Sequence, residues 1–189
     1  MNDASDEQLV QQAKKGDTQA YAELVRRYRE RIYQTIYRFT RNHSDTDDLA
    51  QETFLHAFRS LGQFRKRSGF YTWIYRIAVN LSLNFLKKTR KEKGREDFEE
   101  RWLGREGPPV SSSESFFAYQ ELREKLNEAI DSLPASYRAS FVLIVFQGMT
   151  HGQAARILRC SENTVSWRMH KARRMLQAKL SSYLDEARR

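Results

Sequence analysis

The chain has 189 residues, of which 40% are hydrophobic and 30% are charged, a balance that suits a globular protein of one domain or two small ones. Its 33 Lys and Arg against 24 Asp and Glu give a net charge of +9, which favours a polyanionic partner. The single cysteine, Cys160, excludes an internal disulfide and a cysteine-based metal cluster, and the four histidines lack ligand spacing, so we expect no metal and no cofactor.

The first half of the chain predicts four helices that form one small bundle. Ser5 caps a short helix that stops at Gly16, and Asp17 caps a second helix with an apolar stripe that ends at Phe39. After a turn at 42–44, a third helix begins at Asp45 or Thr46 and places inward Leu49, Thr53, Phe54, Ala57, Phe58 and Leu61. The fourth covers about 70–89, with the inward residues Ile74, Ile77, Ala78, Leu81 and Phe85.

Residues 94–115 interrupt the helical pattern with three glycines, two prolines and a run of three serines, which is typical of a flexible linker. A second helical domain follows, with a helix to about Ser132, another that begins at Pro134, and a final helix pair. The predicted fold is all-α: a four-helix bundle at 1–93, the linker at 94–115, and a helix-turn-helix domain at 116–189.

Charge is distributed unevenly along the chain. Residues 65–95 carry ten basic side chains and one acidic, whereas residues 96–124 carry eight acidic and three basic. Residues 156–174 are basic again, with six basic side chains and one acidic. Two basic zones therefore flank an acidic one, and each basic zone has the electrostatic character of a nucleic-acid contact.

Residues 150–176 predict two capped helices joined by a short turn. Thr150 and Gln153 fit a capping box, Arg159 and Cys160 make the turn, and Ser161 caps the longer helix. Its buried stripe is Val165, Met169, Ala172 and Leu176. Its front and flanks, which suit a DNA major groove, carry Asn163, Thr164, Ser166, Trp167, Arg168, His170, Lys171, Arg173 and Arg174. An ordinary helical hairpin with a solvated basic face is the alternative.

An acidic ridge lies opposite the core stripe of the third helix. Its members share the i, i+3, i+4, i+7 spacing and are Asp48, Gln51, Glu52 and Leu55, with Asp47 beside them. A leucine within such a ridge indicates a partner-binding face. The alternative is an exposed acidic helix start, which the helix dipole favours.

The fourth helix combines aromatic and basic residues in the pattern that single-stranded nucleic acid requires, since bases stack on rings while cations follow the phosphates. The candidate residues are Arg65, Lys66, Arg67, Phe70, Tyr71, Trp73, Arg76, Asn80, Asn84 and Lys87. Asn80 stands in the middle of the polar face, where Asn is a poor helix former and its amide can read a base edge. For Phe70 and Trp73, a place in the core is an equally good interpretation.

Three segments resemble a known family. D-T-D-D-L-A-Q-E-T-F-L-H-A-F-R-S-L-G-Q-F at 45–64 and F-Y-T-W-I-Y-R-I-A-V-N at 70–80 resemble region two of bacterial extracytoplasmic-function sigma factors. L-P-A-S-Y-R-A-S-F at 133–141, followed by the helix-turn-helix, resembles their region four. The chain departs from the family at Asn163, Trp167 and Gly152. The outward Trp167 leaves the −35 sequence preference open, and Gly152 should weaken the start of its helix by about 1 kcal/mol relative to Ala.

The resemblance implies that the chain binds core RNA polymerase and directs it to stress promoters. The acidic ridge would meet the polymerase clamp helices, the Phe70–Asn80 surface would melt and read the −10 element, and the loop at 65–69 would help hold a flipped-out base. The helix-turn-helix would read the duplex −35 element. The linker would thread toward the active-site channel. A membrane-linked anti-sigma factor, in an envelope or metal response, is an implied partner.

Two other functions remain open on the residues alone. A stand-alone helix-turn-helix regulator would bind duplex DNA as a dimer and would not need the acidic ridge. A single-strand or RNA-binding protein would use its helix-turn-helix only as structure. No nucleophile–base pair, phosphate loop or metal cluster supports an enzyme, so we expect no catalytic residues. No apolar run approaches the roughly 20 residues that a membrane span needs, and the acidic, polar N-terminus does not resemble a signal peptide, so we expect a cytoplasmic monomer without membrane insertion.

Overall fold

The computed structural model describes residues 4–65, 69–93 and 113–186, and within these ranges every regular element is helical. The predicted all-α fold is therefore confirmed for the described residues. The helices are α1 (Asp6–Lys14), α2 (Thr18–Thr40), α3 (His43–Ser60), α4 (Phe70–Lys93), α5 (Ser113–Asp131), α6 (Ala135–Phe141), α7 (His151–Leu158) and α8 (Glu162–Glu186). A 3₁₀ turn, Leu61–Gln63, follows α3, and a π-helical turn, Val142–Phe146, continues α6. Most of the predicted linker, residues 94–112, lies outside the described ranges, whereas 113–115 belong to α5.

The first two helices begin at the predicted caps. Ser5 and Gln8 form a capping box on α1, and the Asp17 carboxylate accepts hydrogen bonds from the backbone N–H groups of Gln19 and Ala20 at 2.9 and 3.0 Å. Gly16, between the two helices, has φ +97°, a backbone conformation that glycine adopts at little steric cost.

The predicted start of the third helix is wrong by about two residues. α2 ends at Arg41 in the left-handed conformation with φ 53°, so the chain has already turned when it reaches Asn42. The Asn42 side chain then caps α3 by accepting from the Asp45 N–H at 3.0 Å. The turn expected at 42–44 is therefore the first turn of the helix.

The first bundle, α1–α4, has a core in which Leu24, Ile32, Ile36, Ile74 and Ala78 are fully buried. The inward position predicted for Phe58 is wrong, because this side chain is 48% exposed. Its ring packs on Tyr21 at 4.9 Å between centroids, at the border of the core. The smaller Thr53 and Ala57 occupy the buried face of α3 instead.

The second bundle, α5–α8, surrounds Val142, Leu143, Ala154 and Val165, all fully buried. Pro134 is the N-cap of α6, one position before the first helical residue, which agrees with the predicted break to within one residue. Val145, in the π-helical turn, remains 48% exposed, so the apolar run that ends at Phe146 is buried only on one side.

The two bundles pack directly on each other, and a buried arginine of the second bundle joins them. The Arg138 side chain is 4% exposed, and its guanidinium donates to the backbone carbonyls of Arg38 and Phe39 at 2.8 and 3.1 Å. These carbonyls belong to the last turn of α2, where the helix dipole favours a cation. Asp131 pairs with Arg138 and also with Arg41 of the first bundle at 2.9 Å. We call this group, Arg41, Asp131 and Arg138, the interdomain latch.

α4 is buried on two faces, and the second face also belongs to the contact between bundles. Tyr75, Val79 and Ser82 lie beside the core stripe of α4, yet each is at most 1% exposed. The Tyr75 hydroxyl donates to the Gln147 side chain at 3.2 Å, and α4 contacts both α6 and α7. Burial raises the pKa of Tyr75 well above its ordinary value. The contact between the bundles therefore combines a hydrogen bond from a buried tyrosine of α4 with the ion pairs of the latch.

The latch predicts a single unfolding transition for the two bundles. Arg138→Met removes two charge-assisted hydrogen bonds and should lower the free energy of unfolding by about 2–4 kcal/mol. It should also separate the unfolding of the bundles into two steps in scanning calorimetry. Arg29→Met, at an exposed position of α2, is the matched control and should leave the transition single. An unchanged midpoint for Arg138→Met would show that the latch does not join the bundles.

Candidate nucleic-acid interface

The acidic ridge of α3 is brought together as the spacing predicts. Asp48, Gln51, Glu52 and Leu55 are all exposed and line one open groove. Leu55 is 45% exposed, which is a large fraction for an apolar side chain at the centre of a charged surface. Asp47 does not join this groove and lies instead in a neighbouring one between α2 and α3. The geometry supports a partner-binding face centred on Leu55.

The polar face of α4 points away from both buried faces of that helix. Asn80, Asn84 and Lys87 are exposed, and Arg65 is exposed at the start of the preceding loop. Lys66 and Arg67 lie outside the described residues. None of the described hydrogen bonds joins Asn80, Asn84 or Lys87 to the second bundle. These side chains place two amides and a cation along one side of α4.

The predicted aromatic residues divide into buried and accessible ones. Phe70 is 3% exposed, because its ring packs against Tyr28, Phe64 and Trp73 with centroids 5.4, 6.4 and 5.7 Å away. Trp73 and Tyr71 are half-buried and keep part of their rings accessible. The core interpretation therefore applies to Phe70 in this conformation, and Trp73 and Tyr71 are the rings available for stacking.

A lysine that the sequence analysis missed supports the loop before α4. Lys14, at the end of α1, donates to the backbone carbonyl of Phe64 at 2.6 Å, and its ammonium group lies 5.8 Å from the Phe64 ring centroid. The last described residues before the basic loop are thereby attached to the first bundle. A lone lysine at a helix C-terminus carries no sequence signal that would reveal this contact.

Arg76 is the one predicted residue on α4 that contacts the second bundle through a described hydrogen bond. Its guanidinium donates to the Arg156 carbonyl of α7 at 2.9 Å, and its Nε is buried without a hydrogen-bond partner among the described residues. Desolvation lowers the pKa of Arg76, and the nearby charge of Arg159 lowers it further. Arg76 therefore lies between two surfaces that were predicted to bind nucleic acid separately.

The helix-turn-helix forms as predicted. Thr150 and Gln153 make a capping box, with the Gln153 N–H donating to the Thr150 hydroxyl at 3.2 Å, and Arg159 turns the chain with φ 52°. The Ser161 hydroxyl caps α8 by accepting from the Thr164 N–H at 3.1 Å. The back of α8 is the predicted stripe, at most 7% exposed, of Val165, Met169, Ala172 and Leu176.

The front of α8 is polar, basic and accessible. Asn163, Ser166, His170, Arg173 and Arg174 are exposed. Thr164, Arg168 and Lys171 are half-buried on the flanks, where the Thr164 hydroxyl bonds that of Ser161 at 2.8 Å and Arg168 lies 3.6 Å from the Cys160 sulfur.

Trp167 is held at the middle of this front, although it is 52% exposed. Tyr137 of α6 packs edge-on against the indole at 5.6 Å, and the Lys171 ammonium lies 5.8 Å from the ring centroid. An aromatic pair of this geometry contributes about 0.5–1.5 kcal/mol beyond buried area. The indole therefore presents a supported apolar surface among polar groups.

The residues of the interdomain contact are those that sequence reasoning missed. A sequence signal exists for Tyr75, because it begins a second apolar stripe on the fourth helix, Tyr75, Val79, Leu83 and Leu86, spaced i, i+4, i+8 and i+11. Arg138 and Asp131 carried no such signal, since a buried charge looks like a surface charge in sequence.

The described residues contain neither a candidate membrane span nor a candidate metal site. None of their helices is long and apolar enough to cross a membrane. Within the same ranges, His, Cys, Asp and Glu side chains form no group of three or more that would hold a metal ion.

Comparison with known proteins matches both halves of the chain. Residues 24–92 match the family model for sigma-70 region 2, and residues 123–176 match that for sigma-70 region 4. The RNA polymerase sigma-H factor of Pseudomonas aeruginosa is 33% identical over 187 residues, covering 96% of this chain and 97% of its own. The ECF RNA polymerase sigma-E factor of Escherichia coli K12 is 33% identical over 181 residues, covering 93% of this chain and 94% of its own.

A solved structure shares the fold. The sigma factor RpoE of Bartonella quintana, determined in complex with the anti-sigma factor NepR, aligns with a TM-score of 0.64 and 21% identity. The alignment covers 85% of this chain and 96% of that one.

The front of α8 predicts a measurable salt dependence of duplex binding. Each lost phosphate contact should flatten the slope of log K against log salt by about one unit, because fewer counterions are released. Lys171→Ala and Arg174→Ala should each do so in fluorescence-anisotropy titrations with a promoter duplex. Lys179→Ala, an exposed lysine one turn beyond the predicted surface, is the control with the same charge loss. Slopes equal to that of the control would show that Lys171 and Arg174 do not contact the DNA phosphates.

Proposed function

The chain belongs to the extracytoplasmic-function sigma factors of the sigma-70 family, and we propose that it grips promoters at two points, reading a duplex −35 element with α8 and a melted −10 element with α4. A sigma factor serves RNA polymerase in transcription initiation, so the polymerase supplies the chemistry and this chain supplies binding energy for recognition and melting. The observation that carries the proposal is the pair of accessible polar faces, on α4 and α8, within the two matched regions.

At the −35 element, the buried back of α8 fixes the helix on its domain while the front enters the major groove. Asn163, Ser166 and Arg173 offer hydrogen-bonding groups to base edges, and Arg174 and Lys171 suit phosphate oxygens. Trp167, supported by Tyr137, offers an apolar surface that suits a thymine methyl group. We therefore propose that the base preference of this chain at the −35 element depends on Trp167 and Asn163.

At the −10 element, the accessible face of α4 would hold the melted strand. Asn80 and Asn84 can pair with base edges, and Lys87 and Arg65 follow phosphates. Trp73 and Tyr71 provide the stacking rings, while Phe70 supports them from the core. Lys66 and Arg67, outside the described residues, belong to the loop proposed to hold a flipped base. A stacked base contributes about 1–3 kcal/mol, comparable to the cost of unstacking it from a duplex.

Core polymerase would bind the exposed ridge of α3. The surface combines the apolar side chain of Leu55 with the charges of Asp48 and Glu52, the arrangement of an interface core within a polar rim. Asp47 would lie at the edge of such a contact, since it belongs to the neighbouring groove.

The acidic linker and an anti-sigma partner are two further parts of the proposed function. Residues 96–124 carry eight acidic and three basic side chains, so the linker is suited to a nucleic-acid channel and would avoid promoter DNA. Because a neighbouring fold is found with an anti-sigma factor, we also propose an anti-sigma partner for this chain. Its membrane linkage, and an envelope or metal stress as the signal, are the finer parts of this proposal.

Run-off transcription tests the two-point grip. Core polymerase with this chain should initiate only at templates that carry a matching −35 and −10 pair. Templates that lack either element should give no specific run-off product. A signal equal to that of core alone would reject the sigma function. Binding to duplex DNA as a dimer without any effect on core would favour the stand-alone regulator.

Two variants separate polymerase binding from promoter opening. Leu55→Asp should abolish co-elution with core polymerase, because it places a charge at the centre of the proposed interface. Asn80→Ala should leave co-elution nearly unchanged but lower open-complex formation roughly tenfold, measured by permanganate reactivity, as for the loss of one base-edge contact. Gln34→Ala, an exposed polar position on α2, is the control for both. Equal loss of both activities in Asn80→Ala would make Asn80 structural.

A further inference from the structure

Gly152 lies in the first turn of α7, where the backbone does not require a glycine. It follows His151, the first residue of the helix, and its φ is not positive, so any L residue could adopt the same backbone conformation. A glycine inside a helix is less favourable than an alanine at the same position. What Gly152 provides is therefore space rather than backbone freedom.

The carboxylate of Glu162 fills this space. A Cβ atom at position 152 would lie 2.7 Å from the Glu162 Oε1 atom and 3.2 Å from its Cδ atom, so the two side chains cannot occupy the same place. The same added atom at Gly16, Gly62 or Gly148 would meet nothing within 4 Å. The atoms that an alanine at position 152 would displace belong to the end of a flexible, exposed side chain. Such an alanine would therefore move the carboxylate and leave the backbone in place.

The carboxylate lies at the start of two helices. Glu162 is the first residue of α8, and Gly152 belongs to the first turn of α7. The first N–H groups of a helix have no carbonyl partner within it and carry partial positive charge. Two such helix starts together offset the negative charge of Glu162, and a carboxylate turned away from α7 would lose one of them.

This end of the helix pair faces DNA in the proposed −35 complex. In a helix-turn-helix, the first helix crosses the DNA backbone and the N-terminal residues of the second contact base edges. Asn163, the neighbour of Glu162, is exposed and belongs to the proposed reading surface. A carboxylate that pointed away from α7 here would approach phosphate oxygens, which carry the same charge.

We propose that Gly152 is a positioning residue for −35 recognition. Its missing side chain leaves the place in which the Glu162 carboxylate lies against α7, so that Asn163, and not a carboxylate, meets the bases at this end of α8. This inference rests on the proposed function of α8. An alanine at position 152 turns the carboxylate outward and weakens −35 binding, although alanine is the better helix former.

A double-mutant cycle in the full chain tests this pair. Gly152→Ala, Glu162→Gln and the double variant are compared with the parent by fluorescence anisotropy, on the −35 duplex of a promoter mapped by run-off transcription. Gly152→Ala should lower the affinity at least about threefold, the scale of one exposed charge interaction. In the Glu162→Gln background the same alanine should leave the affinity unchanged, because the displaced amide carries no charge.

Two further substitutions are matched controls. Gly62→Ala adds the same atom where nothing lies within 4 Å, and it should bind the duplex like the parent. Glu121→Gln removes the same charge at an exposed position of α5. Glu162→Gln alone should match Glu121→Gln, because the charge of Glu162 is already offset in the parent. If Glu162→Gln bound at least about threefold more tightly than Glu121→Gln, the carboxylate would already face the DNA, and the proposal would be overturned.

Salt separates repulsion from a distorted fold. The melting temperature of Gly152→Ala should not fall below that of the parent, and its loss of affinity should shrink as salt rises, because salt screens exposed charges. A loss that is independent of salt, or that is equal in the Glu162 and Gln backgrounds, overturns the positioning role. So does an unchanged affinity in Gly152→Ala.

The outcomes separate this inference from the function on which it rests. If the parent binds the −35 duplex no more tightly than a scrambled duplex, α8 does not read the −35 element, and the proposed function fails. If the parent discriminates between the two duplexes but the cycle shows no coupling between positions 152 and 162, the proposed function stands and the positioning role is rejected.

Discussion

The packing of Arg138, from α6, against the last turn of α2 is the contact on which the relation between the two bundles depends. A guanidinium that is 4% exposed must be paired, and here Asp131 and two helix-terminal carbonyls of the other bundle provide the partners. The carbonyls at a helix C-terminus have no partner within the helix and carry partial negative charge, so the arginine satisfies both requirements at once.

α4 carries three surfaces with different requirements. Ile74 and Ala78 belong to the core of the first bundle, Tyr75 and Val79 to the interdomain contact, and Asn80 to solvent. Because two faces of α4 are buried, its solvent-exposed face is narrow. A residue at the border of that face can contact a neighbouring helix rather than solvent. Arg76 is that residue, and its hydrogen bond to α7 links the position of the second bundle to the surface proposed for the −10 strand.

The recognition helix shows how one departure from family pattern is accommodated. Here Tyr137 and Lys171 support the indole of Trp167 from two sides, so the side chain is both accessible and oriented. In the first turn of α7, a side chain at Gly152 would meet the Glu162 carboxylate 2.7 Å away. The missing side chain therefore leaves room for an acidic group at the start of α8.

The sequence by itself determined the helices, their caps and the outward faces of α3, α4 and α8, because cap chemistry and apolar periodicity are local. It missed the start of α3 by two residues, since Arg41 turns the chain through a left-handed conformation that no residue pattern announces. It also placed Phe58 inward, although periodicity cannot resolve the border of a core. Only the tertiary structure decided that Arg138 is buried and that Arg76 donates a hydrogen bond to α7. It also decided that Phe70 packs in the core beneath the accessible rings instead of being exposed for base stacking. Burial and pairing of a charge depend on residues roughly a hundred positions away, and these are brought together by packing rather than by spacing.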